Sequence, residues 1–203
     1  SISAFAQLML REEGLSPDQR ESLEIIHSET LRASHVVKDL LAFARRSAPR
    51  RESVDLTQVV ERALRLRGYQ LASHGVQTVL DLPGGLPQVV GDSRQLQQVV
   101  LNLVTNALQA MPDGGELRLI ASGDADRVTL QITDTGGGIP ESVRPHIFEP
   151  FFTTKPEGEG TGLGLSVSYG IVAAHGGTLA LADSTESGTT FQITLPSEKR
   201  TQV

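Results

Sequence analysis

From Leu23 to Ala44 the apolar or small positions fall at Leu23, Ile26, Thr30, Ala33, Val37, Leu40 and Ala44, at intervals alternating between three and four. That is the heptad spacing of a left-handed helical bundle. Ile25, Val36, Leu41 and Phe43 widen the stripe beyond a two-helix seam. Upstream, Ile2, Phe5 and Met9 share one face of a short helix predicted over Ser1 to Glu13 and ended by Gly14. Ser16-Pro17 opens the long helix in cap-then-proline order, and Pro49 stops it near Arg46. One helix and a stub cannot cover so wide a face, so the pattern predicts partner helices from a second copy. The alternative cover is the downstream domain.

Ser47 to Arg51 is polar and proline-broken, which predicts a hinge between a helical segment, 1–48, and a second domain, 52–199. In the second domain, Ser53 to Leu56 reads as a strand and Thr57 as the cap of a helix ending near Ser73. Val76 to Leu82 alternates as a strand, and Val89-Val90 is a short one. Asp92 caps a helix whose core side carries Leu96, Val99, Val100, Leu103, Val104, Ala107 and Leu108. Glu116 to Ala121 and Val128 to Asp134 form a hairpin around Asp124-Ala125-Asp126. A helix over Gly164 to His175 precedes a second hairpin, Thr178 to Leu181 with Thr190 to Leu195. Alternating helices and strands that end in antiparallel hairpins predict an α+β fold, a mixed sheet with helices on one face.

Composition removes several classes of function. The 203 residues contain no cysteine, which excludes disulfides and thiolate metal sites and fits a reducing compartment. A net charge of −6 without a basic cluster argues against nucleic acid as a partner. No run of about eighteen apolar residues is present to span a bilayer.

The chemistry concentrates between Asp134 and Leu165. Asp134-Thr135-Gly136-Gly137-Gly138-Ile139-Pro140 opens this stretch and Gly160-Thr161-Gly162-Leu163-Gly164-Leu165 closes it. Glycines let backbone amides approach a phosphate, and the second cluster runs into a helix whose N-terminus favours an anion. A polar loop, Pro156 to Glu159, lies before the second cluster and reads as a lid expected to be mobile over 157–161. No Gly-Lys-Ser/Thr follows the glycines, and they follow a loop rather than a strand, so neither Walker nor dinucleotide chemistry fits. Upstream, Asn102 and Asn106 lie one turn apart on one helical face. Such a pair on an apolar helix needs a polar partner, and an asparagine carbonyl oxygen suits Mg²⁺, a hard ion that bridges phosphates. Capping or hydrogen bonds between helices are the other use of such a pair.

Taken in order, Leu101 to Ala107, Asp134 to Ile139, Phe148-Glu149-Pro150-Phe151-Phe152-Thr153-Thr154-Lys155, Gly160 to Leu165 and Gly188-Thr189-Thr190-Phe191 resemble the motifs of sensor histidine kinases. The resemblance implies a two-layer sandwich of the gyrase and histidine kinase type, preceded by a helical hairpin of a dimeric four-helix bundle. It implies ATP and Mg²⁺ as cofactors, a homodimer, a response-regulator receiver domain as partner, and a cytoplasmic location. It makes Asn106 the metal ligand and places Asn102 where related ATPases carry a glutamate that activates water, so that ATP is preserved for another nucleophile. Both are the catalytic candidates. Gln109 stands where the family often has a basic residue toward the phosphates.

Asp134 is the base-selecting carboxylate, because it accepts the adenine amine and repels the guanine carbonyl. Thr189 matches the threonine at the adenine edge, or is a plain strand residue. Gly136 and Gly138 are expected to leave room for the ring, with Ile139 as a wall. Gly160, Thr161, Gly162, Leu163, Gly164 and Leu165 are expected around the phosphates. Phe151 reads as an anchor of the lid, and Lys155 meets a phosphate or stays solvated. His27 and His35 lie on the long helix, outside the family's His-Glu-x-x-x-Pro-Leu acceptor box, which this sequence lacks. Ser1 to Leu8 resembles the segment just downstream of that box, so the phosphoacceptor is expected upstream of Ser1. His74, His146 and His175 lie near element ends without ligand spacing. A hydrolysing ATPase of the same fold and a non-catalytic dimeric scaffold are the alternative functions.

Overall fold

The apolar periodicities become five α-helices and seven strands in the computed structural model, which describes residues 2–12, 14–44, 51–156 and 160–198. Residues 47–50 of the expected hinge Ser47 to Arg51, the side chains of 35, 36 and 38–44, and the lid residues 157–159 lie outside the described residues. The chain separates into two units, Ser1–Arg46 and Ser47–Val203.

In the first unit, α1 (Ile2–Met9) is shorter than its apolar pattern suggests. Leu10, Arg11 and Glu12 tighten into a turn on the carbonyls of Ala6, Leu8 and Met9, and Gly14 takes φ +97°. Helix α2 (Pro17–Ala44) starts on a reciprocal capping box. The Gln19 backbone N–H donates to Ser16 Oγ at 3.2 Å, and the Ser16 N–H donates to Gln19 Oε1 at 2.9 Å. Ala6 and Leu23 are buried, whereas Ile2, Phe5, Met9, Ile25, Ile26 and Val37 remain exposed in the single chain.

The second unit is built on a five-stranded sheet. Its strands are β2 (Val76–Asp81), β4 (Gly115–Gly123), β5 (Arg127–Asp134), β6 (Thr178–Thr185) and β7 (Gly188–Pro196), in the order β2-β4-β5-β7-β6. Among the described strands only β2 and β4 run parallel. A separate ribbon pairs β1 (Glu52–Val54) with β3 (Val89–Gly91). Leu117, Leu119 and Ala121 of β4, Val128, Leu130 and Ile132 of β5, and Phe191, Ile193 and Leu195 of β7 turn toward one core. Packed with them are residues of α3 (Leu56–Ser73), α4 (Ser93–Ala110) and α5 (Gly164–Ala174). The opposite face carries polar cross-strand pairs, Thr133 with Thr190 and Gln131 with Gln192, both at 3.0 Å. That one-sided burial is the expected two-layer sandwich.

One cap differs from expectation. Asp55, not Thr57, begins α3, because its Oδ1 accepts the amides of Thr57 and Gln58 at 2.9 and 3.3 Å. The strand therefore stops at Val54, and Leu56 becomes a buried helical residue. Asp92 caps α4 as expected, accepting from the Arg94 and Gln95 amides.

Candidate functional site

Strand alternation delivers Asp134 to the site. Period-2 burial along β5 puts Val128, Leu130, Ile132 and then Asp134 on the core face, so a carboxylate ends an apolar row. Asp134 is only 5% exposed, and its register partner on β7 is the equally buried Thr189. Burial pushes the Asp134 carboxyl above the usual carboxylate range, against the opposing pull of the Gly136 and Thr189 amides. The Gly136 N–H reaches Oδ1 at 2.9 Å.

The glycines after Asp134 answer to the protein's own backbone. A Cβ on Gly136 would lie 2.6 Å from the Ala110 carbonyl oxygen at the end of α4. Gly138 takes φ +70°, and a Cβ there would lie 1.8 Å from the Thr185 carbonyl oxygen. Both missing side chains thus face protein, which corrects the expectation that they leave room for a ring. Ile139 is held beside them, its N–H donating to Ser184 Oγ at 2.7 Å. Arg144 clamps the same corner through Nε to the Ile139 carbonyl (2.9 Å) and Nη2 to the Ser184 carbonyl (2.6 Å).

Helix α4 carries the asparagines at the margin of its buried stripe, where Asn102 and Asn106 are half-buried. Asn102 shows the helix-to-helix use of the pair. Its Nδ2 donates to the Gly164 carbonyl and to Ser168 Oγ, both at 3.2 Å. Asn106 differs: its amide has no hydrogen bond to another described residue. A half-buried amide oxygen is a donor atom of the kind a hard cation takes. Among the described residues no group of three or more His, Asp or Glu side chains is placed to hold a metal. A cation at Asn106 would therefore depend on ligand oxygens beyond the protein's own.

Across from the asparagines, α5 begins at Gly164 with no side-chain cap, leaving first-turn amides for an anion. The phenylalanine segment and second glycine cluster are joined at the base of the loop between them. The Phe151 N–H donates to the Gly162 carbonyl at 3.0 Å. Phe151 is exposed at φ +67°, and a Cβ on Gly162 (φ +64°) would lie 2.3 Å from the Phe151 carbonyl carbon. Gly160 sits against Thr153 Oγ1, and Thr161 Oγ1 accepts from the Leu163 N–H at 3.3 Å. Leu163 is buried and Leu165 packs on the core. Phe148 anchors the segment against Tyr169 and Phe191, with ring centroids 5.4 and 6.4 Å away. Lys155 Nζ donates to Gln109 Oε1, bringing together two residues expected near phosphates.

Sequence reasoning missed Ser168, Ser184 and Arg144, and gave His175 no role. Ser168 is fully buried, four residues after Gly164, and with Ser166 and Tyr169 beside it nothing in the local sequence singled it out. Buried His175 ties α5 to the start of α4: Nε2 accepts the Asp92 N–H at 2.9 Å, and Nδ1 donates to the Ile171 carbonyl at 2.7 Å. Those two bonds fix the neutral Nδ1–H tautomer. A surface groove of about 450 Å³ between α3 and β2 lies elsewhere. Its lining is mostly apolar, and its charged pair, Glu61 and Arg65, is self-engaged at 3.7 Å.

Residues 91–199 match the family described as histidine kinase-, DNA gyrase B- and HSP90-like ATPase, and residues 1–49 match the His Kinase A (phospho-acceptor) domain. Sensor kinase CckA of Brucella abortus is 39% identical over 97% of this chain and 22% of that protein. Two-component sensor PprA of Pseudomonas aeruginosa is 38% identical over 87% of this chain and 20% of that protein. The chain thus spans about a fifth of the length of these relatives. Among solved structures, full-length ShkA in complex with AMPPNP superposes with a TM-score of 0.80, at 27% identity, over 97% of this chain and 42% of that one.

Proposed function

Because the chain belongs to the sensor histidine kinases, within the wider histidine kinase, gyrase B and HSP90 ATPase family, we propose that it binds Mg·ATP and presents the γ-phosphoryl group to a histidine. The observation that carries this reading is the buried Asp134 carboxylate at the end of β5, facing Thr189 and bordered by Gly136. An ionised acceptor in an apolar wall selects a ligand edge that donates, as the adenine amine does. The first-turn amides of α5, with Gly160, Thr161, Gly162, Leu163, Gly164 and Leu165, receive the phosphates. Lys155, steadied by Gln109, supplies the positive charge that position 109 itself lacks. Asn106 would hold the magnesium through its carbonyl oxygen. When bound, that ion would supply positive charge against the phosphates.

In transfer, the γ-phosphorus–oxygen bond to ADP breaks as a phosphorus–nitrogen bond to histidine forms, and a response-regulator aspartate then takes the group. Asn102 provides no carboxylate to activate water, so ATP lasts until the histidine arrives. We divide the chain into a helical dimerisation segment, 1–48, and an ATP-binding domain, 52–199. No helix of the described residues is long and apolar enough to cross a membrane. Dependence on ATP as phosphoryl donor supports a cytoplasmic location, where ATP is held.

Titration with a non-hydrolysable ATP analogue, with and without Mg²⁺, tests the site. Wild type should bind more tightly with the ion, and Asn106→Ala should lose most of that gain while retaining metal-free affinity. Equal loss under both conditions would contradict the metal role. The exposed Ile25, Ile26 and Val37 support a homodimer through α2. Sedimentation should show a dimer at high micromolar concentration, and a monomer there would count against it.

A further inference from the structure

The Asn102 amide has its direction fixed by its neighbours. Its two N–H groups have two acceptors on α5, the Gly164 carbonyl and Ser168 Oγ, each at 3.2 Å. The Ser168 hydroxyl proton is itself committed to the Gly164 carbonyl at 2.8 Å, so the serine can offer Asn102 only a lone pair. Rotating the amide by a half turn would set Oδ1 against the Gly164 carbonyl, two acceptors with no proton between them. Ser168 is fully buried, so water does not compete for this arrangement. Both donors of Asn102 are therefore consumed within the protein, and its carbonyl oxygen makes no hydrogen bond among the described residues.

We propose that Ser168 is a positioning residue which locks Asn102 so that a carbonyl oxygen, and not an NH₂ group, faces the nucleotide. This rests on the nucleotide-binding reading above and adds a specificity to it. Asn102 presented this way cannot donate to a phosphate oxygen. It accepts, and what it accepts from is the hydration shell of a phosphate-bound divalent cation. With Asn106 one turn away, α4 then offers two neutral amide oxygens in a row to a hydrated metal. Such a site discriminates for metal-bound nucleotide over the free tetra-anion. Ser168 sets this preference without touching the ligand.

The test is a double-mutant cycle on the whole chain, read by calorimetric titration of a non-hydrolysable ATP analogue with and without Mg²⁺. Ser168→Ala should weaken binding of the magnesium form by about five- to tenfold, the scale of one hydrogen bond, and leave metal-free affinity unchanged. In an Asn102→Ala background, Ser168→Ala should have no further effect. Equal loss with and without the ion, or additive losses in the double variant, would overturn the proposal. So would a wild-type side-chain NH₂ of Asn102 that exchanges with solvent as fast as an exposed amide by NMR, a readout independent of whether any variant folds. A wild type that binds no nucleotide would remove the underlying reading as well. Nucleotide binding with additive losses would remove this inference alone.

Discussion

At the scale of single residues, the site trades stability for an acceptor. Asp134 is buried at the end of an apolar row, and burial raises its carboxyl above the ordinary value. The folded state therefore holds this proton at pH values where the unfolded chain has released it. Stability from this group is present at low pH and is lost as pH rises through the window between the unfolded and the raised folded value. Asp134→Asn removes the charge while keeping an oxygen for the Gly136 amide. It should melt no lower than wild type near neutral pH and lose that part of the pH dependence. A large drop in Tm at pH 7 would mean the carboxylate is stabilising after all. That Asp134 ends a strand and opens the first glycine cluster was legible in the sequence. Ser168 and Arg144 were not, since nothing in their local pattern names the distant Asn102 amide and Ser184 carbonyl they meet.

At the scale of elements, the periodic signals held wherever burial is one-sided. Helix α4 buries the seven residues its stripe marked, and the hairpin β4–β5 turns where Asp124 Oδ1 accepts the Asp126 and Arg127 amides. What sequence did not separate was the reason for each glycine. Gly136 and Gly138 looked like space for a ligand, but they are contact points between the β5 loop, the end of α4 and the end of β6. Gly138→Ala combines positive φ with a backbone collision at 1.8 Å. It should cost about 3 kcal/mol or more, roughly 6–12 °C in Tm for a domain of this size. The same shift should displace Ile139 and weaken nucleotide binding. A variant that melts within a degree of wild type would show that the loop has slack this packing denies it. The mismatch at α3 has a similar origin: Asp55 and Thr57 are both good caps, and only the backbone path after Val54 decides between them.

At the scale of the whole molecule, two motif sets sit on separate units, a bundle segment and a sandwich. Bundle periodicity and the order of the glycine and asparagine motifs were readable in the sequence, because each depends on local spacing. The joining of the asparagine helix to the second glycine cluster depends on tertiary contacts between residues 62 and 66 positions apart, which no local pattern encodes. The proposed function turns at this scale on Asp134 as the reader of the base. The most direct test is calorimetric titration of wild type and Asp134→Asn with ATP and with GTP, both in excess Mg²⁺. Wild type should bind ATP and reject GTP, and Asp134→Asn should lose about 10- to 100-fold in ATP affinity, the worth of a hydrogen bond to a charged acceptor. Unchanged ATP affinity in the folded Asp134→Asn protein would contradict the central claim.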